Sequence, residues 1–425
     1  MVVTMEEKAH LRALAREVKE IAEKPLWDEK RGLWKSANAL RKVRPLVLAS
    51  LPDAAWRELI PEKDLVVRDS HLRTIEWDLR KRIYRWKYIK DDEIINSTLY
   101  VPIERAVTDW IDGRVRPYSA RADRAEKFTP VLLDYRDLGK MKYPEVIVDR
   151  DTTRAKHEVL QSIFQGLLDV VEGEPFFAAT DGSVMGWGNS LIDLLCELRG
   201  LENVFYDLTL APAFIHEAMQ FLAEGTIRYL ESLERENLLM LNNNEFIAAS
   251  NTPLGSNGLA LTDELPKEGA QPHRVTTAHL WGYFMAQEFS GVSPEMLEEF
   301  VLPYQSRIAK RFGLNAYGCC EGNDRKWDAI IRHIPNLREL SVSHAANLEV
   351  AAERLKDDFV LSWKPHPGMI AAFSEAAVEK ELRRGFDITK GCRLVVCLRD
   401  TQTLFGEPGR VSAWTRIARE LAREY

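Results

Sequence analysis

Cysteine is scarce in this chain, five in 425 residues. So small and odd a number, without a secretion signal, argues against a disulfide framework and for a reducing cytoplasm. No apolar stretch approaches the roughly 20 residues a membrane helix needs. The opening "TMEEKAHLRALAREVKEIAEK" mixes both charge signs and lacks the apolar centre of a secretion signal. Basic excess is missing too. A formal net charge of −7 separates the chain from electrostatic nucleic-acid binders and suits a protein that handles small molecules or other proteins. No G-x-G-x-x-G follows an early strand and no Walker A motif occurs, so a nucleotide-binding open sheet has no support. The lack of any C-x-x-C pair removes a closed structural zinc site. There is no internal repeat and no low-complexity segment.

What is present is a globular composition, 45% hydrophobic and 29% charged, long enough to bury a large core without staples. Thr4 and Glu7 form a capping box for a first helix, with Leu11, Leu14, Val18 and Ile21 on one face. Short apolar runs read as strands at about 45–50, 97–103, 176–181, 238–242, 314–320, 339–344, 359–363 and 393–398. They do not alternate strictly, as expected of strands buried on both faces. Helical patterns lie between them, such as "SPEMLEEFVLPYQSRIAKRF", which opens on a serine cap and a proline at the first helical position. Eight strands alternating with helices predict an α/β fold of the (β/α)₈ TIM barrel type over 41–425. An N-terminal helical extension covers 1–40, and an insertion of about 104–175 separates strands two and three. A doubly wound open sheet is the structural alternative. "RDSHLRTIEWDLRKRIYRWKYIKDD" (68–92) reads as a covering helix, and "RVTTAHLWGYFMAQEF" as a helix-like run.

In a barrel the chemistry sits at the C-terminal ends of strands. Those ends carry Glu104 and Arg105, Asp181, Asn242 to Glu245, Tyr317 to Glu321, His344, Lys364 with His366, and Arg399, Asp400 and Gln402. The doublet Cys319-Cys320 stands out. Strand alternation turns its two side chains to opposite faces, so one is expected to be a ligand or reactive thiol and the other to pack. A buried inert pair is the bland alternative. Thiolate, imidazole and carboxylate ligands are those zinc favours. Cys196, Cys392 and Cys397 read as structural.

From about residue 176 onward the chain resembles the uroporphyrinogen decarboxylase-like superfamily. The likeness rests on "LLCELRGLENVFYDLTLAPAFIHEAMQFLAEGTIRYLESL", "GVSPEMLEEFVLPYQSRIAKRFG", "AYGCCEG", "FVLSWKPHP" and "GEPGRVSAWTRIARE". "AYGCCEG" falls where the methyltransferase branch has His-x-Cys-Gly. The resemblance implies that the family zinc cysteine is Cys319, and it puts Tyr317, a poor ligand, where the zinc histidine stands. The last family cysteine falls near Asp400. Cys320 and Glu321 then replace the missing ligands, with His344 or Asp400 completing the shell, and Cys320 is favoured for the metal. No "RQAGR"-like segment is present, which counts against uroporphyrinogen decarboxylation.

The resemblance therefore implies a methyltransferase moving a methyl group from a small methylated donor, an aryl methyl ether or similar, to a corrinoid protein. Zinc assists, and cobalamin is carried by a separate chain. Tyr317, Lys364, Asp181, Asn242 and Asp400 are the expected catalytic residues, and Cys319, Cys320, Glu321 and His344 the metal ligands. A homodimer is compatible with this reading. A decarboxylase or lyase on the same barrel is one alternative, and a non-catalytic binding protein the other.

Overall fold

The computed structural model describes residues 3–111, 115–117, 129–177, 189–248, 250–271 and 274–425. Eleven strands appear among them. They are β1 (Leu46–Ala49), β2 (Thr98–Val101), β3 (Arg105–Thr108), β4 (Val115–Pro117), β5 (Val146–Val148), β6 (Asp169–Glu172), β7 (Trp281–Phe284), β8 (Leu314–Tyr317), β9 (Leu337–Val342), β10 (Val360–Trp363) and β11 (Arg393–Leu398). Six build a central parallel sheet in the order β1-β11-β10-β9-β8-β7. β2 pairs in parallel with β6, and β3 lies antiparallel between β4 and β5. The protein is thus α/β with a mostly parallel central sheet. Among the described residues the hydrogen-bonded strands do not close into a barrel.

The sheet is buried on both sides, and strand periodicity shows how. On β1, Val47 and Ala49 join a large core with the outer helices. Leu46 and Leu48 face a second core. β11 divides in the same way, Leu394, Val396 and Leu398 outward and Val395 and Cys397 inward. This is the period of two that makes a doubly buried strand read as a continuous apolar run.

The inner core is filled from the N-terminus. The helix Met5–Ala22 carries the expected capping box, with Glu7 N donating to Thr4 Oγ1 at 3.1 Å and Thr4 N to Glu7 Oε2 at 2.9 Å. Leu11, Val18 and Ile21 are buried on it, and Leu14 lies at the rim of the same core. The helix Leu26–Asn38 contributes Trp27 and Trp34. Asn38 Nδ2 ties that helix to the 259–261 segment, donating to the carbonyls of Leu259 and Leu261 at 2.8 Å each.

Two expectations need correction, and the insertion gains detail. The run around Trp281 is strand β7, not helix. The 104–175 insertion holds strands β3 to β6 as well as the helix Arg150–Phe164. Residues 238–242 form no strand. There the side chain of Asn242 does the work of a ladder, donating to Phe176 O at 3.1 Å and Trp281 O at 3.0 Å and accepting from Trp281 N at 2.9 Å. The 176–181 run begins without strand pairing at Phe176 and Phe177, and its remainder lies outside the described residues. No described helix is long and apolar enough to cross a membrane.

Candidate functional site at the C-terminal edge of the sheet

β8 stops at Tyr317, one residue before a glycine. Gly318 has φ of +95°, a backbone that glycine adopts at no steric cost. A Cβ there would also stand 3.0 Å from Ser341 Cβ. The chain therefore turns, and Cys319 and Cys320 lie in the turn, not on the strand. This overturns the expectation that they diverge. Their sulfurs are 3.5 Å apart. Glu321 curls back beneath them. Its carboxylate accepts from Cys319 N at 2.8 Å and Ala286 N at 3.4 Å.

The inner face of the sheet carries a buried polar stripe beside this turn. Glu339 and Ser341 come from β9, Ser362 from β10, and Lys364 follows β10. Lys364 is only 2% exposed. Its ammonium donates to Ser256 Oγ and Ser341 Oγ at 2.5 Å each and to Cys319 O at 2.8 Å. An ammonium has three donors, so all three are used. Ser256 also reaches Cys319 Sγ, at 3.6 Å. Its loop is shaped by Thr252 and Gly255, whose backbones exchange hydrogen bonds of 2.9 and 2.8 Å.

Charge is distributed unevenly over the doublet. The Cys320 thiol donates to Cys319, and Lys364, Arg399 and the Ser256 hydroxyl add to this against the cost of burial. Together they hold the Cys319 thiol well below its ordinary range. The same contact, with burial, pushes the Cys320 thiol up. The two sulfurs are thus differentiated, Cys319 biased toward the thiolate and Cys320 toward the thiol. Cys320 Sγ also lies 3.4 Å from Asp400 Oδ2, and Asp400 is exposed, on a backbone with φ of +58°. A chain of three groups leads from a half-buried sulfur to solvent.

Arg399 lies alongside. Its Nη1 donates to Ser50 Oγ at 3.1 Å and Ser250 O at 2.9 Å, and Nη2 to Asn251 Oδ1 at 2.5 Å. Its Nε is buried with no partner among the described residues. Ser50 and Ser250 also line a cavity of about 430 Å³. Trp56, Ile75, Trp77, Leu99, Tyr100, Phe246 and Ile247 form its apolar walls. Paired charges complete it, Asp78 with Arg82 at 2.8 Å and Arg85 with Glu93 at 2.9 Å. The 68–92 segment supplies one wall through the helix Ser70–Tyr84, which also covers the core as expected.

The expected site residues divide. Cys319, Cys320, Lys364 and Asp400 come together, and Glu321 supports them from below. Tyr317 points the other way. Its hydroxyl donates to Gln305 Oε1 at 3.1 Å within the outer core. Asn242 is occupied in joining backbone segments. His344 packs edge-on against His366, ring centres 4.7 Å apart. Asp181 lies outside the described residues. Glu321 has both carboxylate oxygens on backbone amides, and His344 has its ring on another imidazole. Among the described residues no group of three or more His, Cys, Asp or Glu side chains is arranged to hold a metal ion. The four expected ligands do not fit zinc in this arrangement. Ser256, Ser341 and Glu339 had no sequence signal, since each is an ordinary residue until the fold places it. Arg399 was visible only as one more polar strand-end residue.

Glu339 has a consequence for stability. It is fully buried, with Oε1 accepting from Gly258 N at 2.8 Å and Oε2 without a partner among the described residues. Burial pushes its carboxyl up to about 7. Burial does the same to Asp193, also to about 7. A raised carboxyl binds its proton more tightly folded than unfolded. Stability therefore falls as pH rises from the ordinary carboxylate range to about 7. Glu339→Gln removes that share. Its melting temperature is expected to fall less than the wild type's between pH 5 and pH 8, and parallel curves would refute the assignment.

No protein-family model and no curated protein matches the chain. Among solved structures, a methyltransferase from Methanosarcina mazei aligns over 92% of this chain and 98% of its own, at 8% identity and a TM-score of 0.47.

Proposed function

We propose that the chain transfers a methyl group from a small methylated donor, an aryl methyl ether or similar molecule, to a corrinoid carried by a separate protein. The observation that carries this reading is the proton path of Cys319, Cys320 and Asp400, with steps of 3.5 and 3.4 Å, at the open end of a parallel sheet. When a methyl group leaves an ether, the electrons of the C–O bond stay on the oxygen. That oxygen needs a proton. The Cys320 thiol passes it on as a relay, giving up its own proton as Asp400 delivers one from solvent, so the sulfur never ionises. Lys364 and Arg399 balance the charge around the sulfurs. A cavity with aromatic walls, of a size and character for one small substrate, lies on the other side of Arg399, which bonds Ser50 and Ser250 on its lining. The segments resembling the methyltransferase branch supply the elements around this edge, which supports the same reading.

The test is methyl transfer from a panel of aryl methyl ethers to a reduced free corrinoid, followed by the corrinoid spectrum. Cys320→Ala and Asp400→Asn are each expected to lower kcat, by about a hundredfold for Cys320→Ala, with KM little changed. Full kcat in Cys320→Ala would remove the proton path. No transfer from any donor by the wild type would remove the activity.

A further inference from the structure

The misfit with zinc leaves two adjacent sulfurs in contact, and their geometry suits another chemistry. We propose that Cys319 and Cys320 form a reversible two-electron redox pair, which a hydroperoxide converts to a disulfide between neighbouring residues.

The sulfurs are already 3.5 Å apart, and a disulfide bond is about 2.0 Å. Closing that gap takes rotation of the two side chains and distortion of the peptide between them, and it moves no strand, because both residues lie in the turn after β8. The doublet is also differentiated. Cys319 Sγ receives the Ser256 hydroxyl at 3.6 Å and faces the charges of Lys364 and Arg399. A thiolate in such an electropositive, partly exposed setting is the sulfur that peroxides attack. Both cysteines are half-buried, so a small oxidant has access. The other three cysteines lack this setting. Cys196 and Cys397 are buried, and Cys392 sits at the opposite end of β11.

The chemistry balances. The Cys319 thiolate attacks the outer peroxide oxygen and the O–O bond breaks. The sulfur is oxidised to a sulfenic acid, and the alkoxide or hydroxide released takes a proton from solvent. Cys320 sulfur then attacks Cys319 sulfur. The S–S bond forms and the S–O bond breaks. The thiol proton leaves with the hydroxyl as water. A dithiol reductant reverses the state by exchange, becoming a disulfide itself. Neighbouring Cα atoms are about 3.8 Å apart, below the roughly 4.4–6.8 Å that disulfides favour. The bond is therefore strained and easily reduced, which is the property of a switch and not of a staple. Closing it consumes both the thiolate and the proton carrier.

The experiment uses the full chain and hydrogen peroxide at a few equivalents. The free thiol count is expected to drop from five to three, and the peptide containing 314–324 to lose about 2 Da. Dithiothreitol is expected to restore both. Cys320→Ser stops at the sulfenic acid and is trapped by dimedone on Cys319. Cys319→Ser leaves Cys320 unreacted on that time scale. Oxidation of the doublet no faster than that of Cys392 would overturn the proposal, as would direct passage of wild-type Cys319 to the sulfinic acid. The readout is sulfur chemistry, so it stands whether or not methyl transfer is found.

Discussion

Lys364→Met is expected to lose methyl transfer below detection and to raise the pH at which Cys319 is alkylated by iodoacetamide. Methionine matches the length of lysine but brings no charge and no donor. Three acceptors around the ammonium, Ser256 Oγ, Ser341 Oγ and Cys319 O, lose its hydrogen bonds at once, and only Cys319 O keeps another donor, Ser341 Oγ at 2.6 Å. A buried acceptor without a partner costs about 1–3 kcal/mol, although each serine hydroxyl can rotate to a new one. The net destabilisation is set at about 3 kcal/mol, measurable by urea unfolding. The charge effect is separable from it. Lys364 is one of the cations that hold Cys319 as thiolate, so its removal shifts the alkylation midpoint upward even in molecules that remain folded. An unchanged midpoint together with unchanged unfolding would mean that the lysine neither frames nor charges the site.

The second large effect is expected at Gly255. Its φ is +67°, and a Cβ would lie 2.1 Å from the Tyr283 ring. That ring cannot retreat. It is buried, and its one hydroxyl proton lies between two acceptors, Gly318 O at 3.3 Å and Met285 Sδ at 3.5 Å. Gly255→Ala must therefore move the loop, and the next residue is Ser256. Left-handed backbone costs about 1–2 kcal/mol for a residue with a Cβ, and overpacking a further 1–3 kcal/mol. A total on the order of 4 kcal/mol follows, with loss of the Ser256 contacts to Lys364 and Cys319. Gly269→Ala is the control. Gly269 has φ of +86° with nothing within 4 Å of a built Cβ, so only the backbone cost applies. Equal destabilisation of the two variants would show that Tyr283 yields and that the loop is not wedged.

β1 and β11 were readable because burial on both faces makes them nearly continuous apolar runs, and β8, β9 and β10 because each is a short apolar-rich run, even though Asn315, Arg338, Glu339, Ser341 and Ser362 interrupt them. β7 was not. Trp281-Gly282-Tyr283-Phe284 is embedded among Ala, Met, Gln and Glu, which suit a helix as well as a strand, and only its pairing with β8 decides. Residues 238–242 had the right composition for a strand, yet one side chain, Asn242, replaces the ladder. β3 to β6 lie in a charged segment whose pattern gave no strand signal.

The residues alone showed that the C-terminal half carries doubly buried strands, that polar groups collect at their ends, and that the cysteine doublet sits among them. Tertiary structure alone decided what those groups are to one another. Gly318 turned the chain, and so brought the two sulfurs together where strand alternation would have parted them. Ser256, Cys319, Ser341 and Lys364 meet across 108 positions of chain. The reason is physical. Burial on both faces writes a local pattern that any window of residues shows. A hydrogen bond between distant loops leaves no trace in either one, and an ordinary serine becomes the partner of a buried ammonium only when the sheet is assembled.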